Sequence, residues 1–196
     1  MTTDEVRSVL AVAKTIDPAA HVALRLAAVA GLRRGEIAAL QWTDFGGRTL
    51  TVDSALVVDR NGDETRIVDT PTKTGGRRTI TLDAETIGLV EALRHEREAF
   101  GPWLCGPDAD PPHPDRIGWW WQRARKLSGI APHWRLHDLR HWSATTAIGG
   151  GHDVRTVANR LGHANAAMTL GVYAHAVPAA DAAFADAIAL TLDSPA

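Results

Sequence analysis

His137 and Arg140 stand three residues apart in a stretch that reads as a helix, so one face carries an imidazole beside a guanidinium. Leu161-Gly162-His163 follows, with a glycine placed to end a helix and present a second imidazole. Tyr173 is the only tyrosine in the chain. Near the other end, Arg33-Arg34 follows Gly31, and Glu36 lies three residues after Arg33, on the same helix face. Lys73 sits in the turn-like run Thr72-Lys73-Thr74-Gly75-Gly76. These types suit transfer at a phosphate. Arg33 and Arg140 offer planar, permanently charged forks that match phosphate oxygens. Preorganised charge of this kind is usually the largest catalytic term. A free phenol, with a pKa near ~10, is a poor nucleophile. Two guanidiniums favour its phenolate, and a nearby histidine can take the proton. Glu36 would orient Arg33 rather than touch the reacting atoms.

These groups need elements to hold them. Residues 2–15 read as a helix opened by a capping box, Thr2 with Glu5, and followed by Val6, Val9, Leu10 and Ala13 at helical spacing. Pro18 opens a second helix, with Gly31 as its stop. Residues 34–41 give a short third helix. The runs 49–58, 66–70 and 79–82 are rich in Val, Ile and Thr, and Asn61-Gly62 between the first two is a strong turn signal. They predict a small antiparallel sheet of about three strands. Helix returns over 83–100. Residues 101–114 hold five prolines and read as a loop. Further helices are expected over 115–128, 136–148, 153–161, 166–175 and 179–192. The fold class is therefore α+β, mainly α-helical. Trp119, Trp120 and Trp121 are consecutive on a helix and cannot share a face, so at least one is expected to be exposed.

His137-x-x-Arg140, Leu161-Gly162-His163 and Tyr173 resemble the C-terminal boxes of the tyrosine recombinase (phage integrase) family, in the family's order. Ala30-Gly31-Leu32-Arg33-Arg34-Gly35-Glu36 resembles its first arginine box. Thr72-Lys73-Thr74 lies between two strands, where the family keeps a hairpin lysine. An arginine pair, a turn lysine or a lone tyrosine is ordinary by itself; five boxes in order are specific. The resemblance covers nearly the whole chain. It implies the catalytic-domain fold of that family, over residues 1–196 as a single domain, with the usual N-terminal core-binding domain absent from this chain. It implies cleavage and rejoining of DNA through a 3′-phosphotyrosyl bond to Tyr173. His137 would accept the phenol proton, His163 would donate to a non-bridging oxygen, and Lys73 would protonate the departing 5′ oxygen. The partners implied are double-stranded DNA, three further copies of the chain on paired sites, and accessory DNA-bending or directionality proteins. The tail helix at 179–192 would pack on a neighbouring subunit. The alternatives are a type IB topoisomerase-like relaxing enzyme and a non-catalytic DNA-binding module of the same fold. Trp142 follows the H-x-x-R box where the family more often has a small residue, which should affect packing more than chemistry.

Composition bounds the rest. The 196 residues carry a net charge of −2, unusual for a protein expected to bind DNA. The charge is uneven, however. Between Arg116 and His163 there are eight Lys and Arg against two acids, Asp138 and Asp153, so a one-sided basic surface is expected. Cys105 is the only cysteine, so no internal disulfide forms, which fits a reducing, cytoplasmic setting. Cys105 itself reads as a bystander. No run of about 18 apolar residues spans a membrane. No cofactor is expected. No metal is expected either: His133 precedes the helix, and His137 with His141 lack a third ligand. There is no cluster of acids suited to a two-metal site.

Overall fold

A computed structural model of the chain describes residues 1–61, 64–71 and 77–162. Helix α1 (Thr3–Ile16) starts at the predicted box: the Thr2 hydroxyl accepts from the Glu5 amide, and the Glu5 carboxylate accepts from the Thr2 amide at 2.7 Å. Its buried stripe is Val6, Val9 and Ala13. Asp17 caps α2 (Pro18–Val29) by accepting from the Ala19 amide. Helix α2 is the centre of the molecule. It buries eight of its residues and meets α1, α3 (Arg34–Ala39), α4 (Ala84–Arg97), α5 (Asp115–Leu127) and α6 (His137–Gly149). Five of the eight are alanines, which let so many neighbours approach. Arg25 leaves this core sideways and clasps α4 through Thr86, Asp83 and Glu85.

The strand region differs from the expected single sheet. The run 49–58 breaks at Asp53 into β2 (Thr49–Val52) and β3 (Ser54–Asn61), which pair with different partners. One sheet has the order β1 (Phe45–Gly46), β2, β5 (Arg78–Thr81), all antiparallel, with buried Leu50 opposite buried Ile80. The other is the hairpin of β3 and β4 (Glu64–Pro71), whose register sets Val57 opposite Val68 and Asn61 opposite Glu64. Helix α3 lies on β3. A Cβ at Gly35 would stand 2.7 Å from the Leu56 carbonyl oxygen, so glycine there permits the close approach.

The proline-rich loop at 101–114 is stitched down by backbone bonds from Trp42 to the Pro102 carbonyl and from Leu104 to the Leu40 carbonyl. Cys105 lies inside it with no exposure, and burial pushes its thiol up to about 12, so it is inert. On α5, Trp120 and Trp121 are buried while Trp119 is 54% exposed, as three consecutive helical positions require. Trp142 on α6 is half-buried against the core. A small second cluster of Ala144, Val157 and Leu161 joins α6 to α7 (Val154–Leu161). Among the described residues, no helix is long and apolar enough to cross a membrane. The helices expected over 166–175 and 179–192 lie outside the described residues.

Gly31 closes α2 with φ +64°, and a Cβ on it would collide with Leu161 Cδ2 of α7. Gly47 has a similar φ of +63° with open space around it. A Gly47→Ala change is expected to cost only the left-handed backbone penalty, about 1–2 kcal/mol. Gly31→Ala is expected to cost more, because it adds steric strain to the same penalty. Urea unfolding of the two variants checks the difference.

Candidate active site

The site is assembled around one carboxylate. Glu36 on α3 is 1% exposed, and each of its oxygens accepts two hydrogen bonds. Oε1 takes Arg33 Nη1 at 2.9 Å and Arg78 Nη1 at 3.0 Å. Oε2 takes the Arg33 amide and Arg78 Nη2, both at 2.8 Å. Burial pushes this carboxyl up, but the Arg78 bonds and charge, the Arg33 amide and the Arg33 charge outweigh it. The net position is below the ordinary carboxylate value.

Arg33 is thereby fixed at the start of α3. Its Nη2 also donates to the Gly162 carbonyl at 3.2 Å, which reaches across to the end of α7. Its side chain remains 35% exposed, so the guanidinium is held and still open to solvent. Gly162 ends α7 in the left-handed conformation, φ +67°. A Cβ there would come within 2.8 Å of Arg78 Nη1. Glycine is therefore required twice over, by the backbone angle and by the guanidinium beside it. Arg78 completes the arrangement by donating from Nε to the Arg160 carbonyl at 3.1 Å.

Arg140 lies on α6 and is 3% exposed. Its Nη1 donates to the Gly31 carbonyl, two residues before Arg33, so α6 is tied to the same turn. His137, the first residue of α6, reaches the surface, and its ring meets the His141 ring edge-on at 4.7 Å. Its pKa lies below the ordinary 6.5: partial burial is the first cause, followed by the charges of His141, Arg140 and Arg33. A helix N-terminus also disfavours the imidazolium. His137 is therefore largely neutral at pH 7 and able to accept a proton.

The structure thus brings Arg33, Glu36, His137 and Arg140 to one side of the α2–α3 turn. Lys73, His163, Tyr173 and His175 lie outside the described residues. Arg78 was missed by the motif reading, although a signal existed. In β5 it falls two positions from buried Ile80, hence on the inward face, where an arginine must have a partner. The basic stretch is also less of a surface than its sequence suggests. Arg160 donates to the carbonyls of Thr81 and Val29, Arg125 to that of Ala131, and Arg140 to that of Gly31. Arg123, Lys126, Arg135 and Arg155 remain exposed. A cavity of about 300 Å³ next to Leu136 is lined by Arg34, which also pairs with Asp115, and by Arg125, Arg135, Trp121 and Trp134. A cavity of about 790 Å³ near Trp119 shares no residue with the site.

Comparison with known proteins decides the family. A family model described as the phage integrase family matches residues 1–179. The chain belongs to the phage integrase family. A prophage phiRv2 integrase of Mycobacterium tuberculosis is 31% identical over 168 residues, 83% of this chain and 42% of that protein. The ICEBs1 integrase of Bacillus subtilis is 28% identical over 166 residues, 78% of this chain and 44% of that protein. This phage integrase chain spans less than half the length of these curated relatives. In fold it is similar to the Tn1549 transposon integrase solved with transposon right end DNA, with a TM-score of 0.81 at 21% identity, covering 96% of this chain and 65% of that one. It is also similar to a lambda integrase dimer bound to a core site, with a TM-score of 0.62 at 23% identity, covering 86% and 58%.

Removing the Glu36 carboxylate leaves the Arg78 guanidinium buried without its counter-ion. Glu36→Ala is expected to lose about 3–5 kcal/mol of stability at neutral pH. The wild type should lose part of this contribution in acid. A carboxyl whose folded pKa is depressed stabilises above its ordinary value of 4.5, and that stability disappears as pH falls through the lower folded value. Urea midpoints of both proteins against pH measure this, and the gap between the two curves should narrow at low pH.

Proposed function

We propose that this chain carries the strand-transfer centre of a tyrosine recombinase, cutting and rejoining DNA through Tyr173. The observation that carries the reading is Arg33: its guanidinium donates one bond to Glu36 and one to the Gly162 carbonyl, its backbone amide donates to Glu36 as well, and its side chain is still a third exposed. A fork held in this way can meet a phosphate without reorganising. In the proposed step, His137 takes the Tyr173 phenol proton and the phenolate oxygen attacks phosphorus. The bond from phosphorus to the 5′ oxygen breaks, and Lys73 supplies that oxygen with a proton. Arg33, Arg140 and His163 balance the charge on the non-bridging oxygens. The products are a 3′-phosphotyrosine and a free 5′-hydroxyl. The phosphoester is retained, so the reverse attack needs neither ATP nor a metal ion.

Double-stranded DNA would be the substrate, with the Arg34, Arg125 and Arg135 cavity holding backbone phosphates beside the site. The similar lambda integrase has been solved as a tetramer on a Holliday junction. By analogy, four copies of the protein that carries this chain would act on paired sites, with accessory proteins setting direction. Residues 1–196 would form its catalytic domain, and a separate DNA-binding domain would supply most of the site specificity.

The test uses duplexes of randomised sequence, each nicked so that cleavage releases a short strand and traps the covalent product. With EDTA present and no ATP, an adduct that survives detergent should form and map by peptide mass to Tyr173. The Tyr173→Phe protein should form none; an equal yield from it refutes the mechanism. Arg33→Ala should slow adduct formation by about 10²-fold or more, as loss of a single oxyanion donor does. The wild-type rate should fall in acid with a midpoint below pH 6.5, because His137 protonates below its ordinary value. A midpoint well above pH 6.5 excludes His137 as the base.

A further inference from the structure

Arg78 belongs to none of the recognised boxes, yet it touches two of them. It opens β5, five residues after Lys73 in the chain. Its side chain is 10% exposed and uses all three guanidinium nitrogens: two on Glu36 and one on the Arg160 carbonyl. The same guanidinium occupies the space that a Cβ on Gly162 would need. Arg33 meets the same two elements from the other side, through Glu36 and the Gly162 carbonyl. Strand β5, helix α3 and the last turn of α7 therefore meet at a single planar cation, whose fork can hold carboxylate and carbonyl together.

We infer that Arg78 is a positioning residue of the proposed strand-transfer centre: it clamps Glu36 against Arg33 and fixes the end of α7, after which the chain continues to His163. The inference rests on the recombinase reading. Arg78 does not touch the phosphate. It acts by setting where Arg33 points and where the chain leaves Gly162. A lysine at the same position keeps the charge but cannot hold both carboxylate oxygens and the Arg160 carbonyl in one plane. The charged groups facing Glu36 are Arg33 from α3 and Arg78 from β5. Loosening Arg78 leaves burial less opposed, so the Glu36 carboxyl protonates at higher pH.

The experiment compares the full chain with Arg78→Lys and with the neutral pair Arg78→Met/Glu36→Gln, which avoids a stranded buried charge. For each, duplex affinity, melting temperature and the rate of Tyr173 adduct formation at saturating duplex are measured across a pH series. Arg78→Lys should fold and bind duplex within about threefold of wild type, yet react about 10- to 100-fold more slowly, the scale of a small misplacement of catalytic groups. As acid is added its rate should also fall more steeply than the wild-type rate, because protonation of Glu36 adds a second limb to that of His137. The neutral pair should be slow without that added acid limb, because it has no carboxyl at position 36. A purely structural arginine would lower the melting temperature and leave the pH profile in place. Wild-type rates and profiles in both variants, a loss confined to affinity, or failure of both variants to fold would each overturn the inference. Absence of any wild-type adduct is a separate outcome, and it removes the recombinase reading itself.

Discussion

Burying a carboxylate costs several kcal/mol unless cations and hydrogen bonds replace its water, and Glu36 has almost no water. Its two oxygens accept four bonds, from one arginine beside it in the chain and one on a distant strand. That requirement joins parts of the chain that periodicity alone would not join. Helix α3 cannot shift on β5 without exposing the carboxylate, and neither can move far from α7, because both arginines also hold its final carbonyls. The site is therefore positioned by electrostatics laid over a conventional apolar core. The core places α2 and its neighbours to within a side chain; the ion cluster fixes which way Arg33 faces.

Two glycines make the convergence possible. Gly31 turns the chain out of α2 with no Cβ to strike Leu161, and its carbonyl anchors Arg140. Gly162 turns the chain out of α7 with no Cβ to strike Arg78. Both have φ near +65°, so both positions demand glycine for the backbone as well as for space. The Gly-Leu-Arg and Leu-Gly-His boxes are, in this light, two turns that face each other across the arginine cluster.

The sequence was most legible where the signal is local. The Thr2 and Glu5 capping box, the Pro18 start and the stripe of Val6, Val9 and Ala13 placed α1 and α2 almost to the residue. Glu36 beside Arg33 was legible for the same reason, a three-residue helical spacing. The strands were harder. Alternation marks residues 49–58 as extended, but it does not say that β2 and β3 join different sheets, because partners are chosen by contacts far along the chain. Arg78 was missed for that reason: its carboxylate lies 42 positions away, and the Arg77-Arg78 doublet resembles solvated turn charge. The basic stretch was legible only in part: Arg140 and Arg160 point at backbone carbonyls, while Arg123, Lys126, Arg135 and Arg155 are exposed.

Family membership supplies the chemistry that this geometry is suited to, and the geometry says how the chain prepares for it. An exposed fork that is already oriented stabilises developing charge without reorganising during the reaction. The measurement closest to this claim is a titration of the Glu36 carboxyl by carbon-13 NMR in the wild-type chain. A carboxylate clamped between Arg33 and Arg78 should stay ionised to below its ordinary value of 4.5. A Glu36 carboxyl that takes up its proton above that value would show burial outweighing the two arginines, and the account of how Arg33 is held would be wrong.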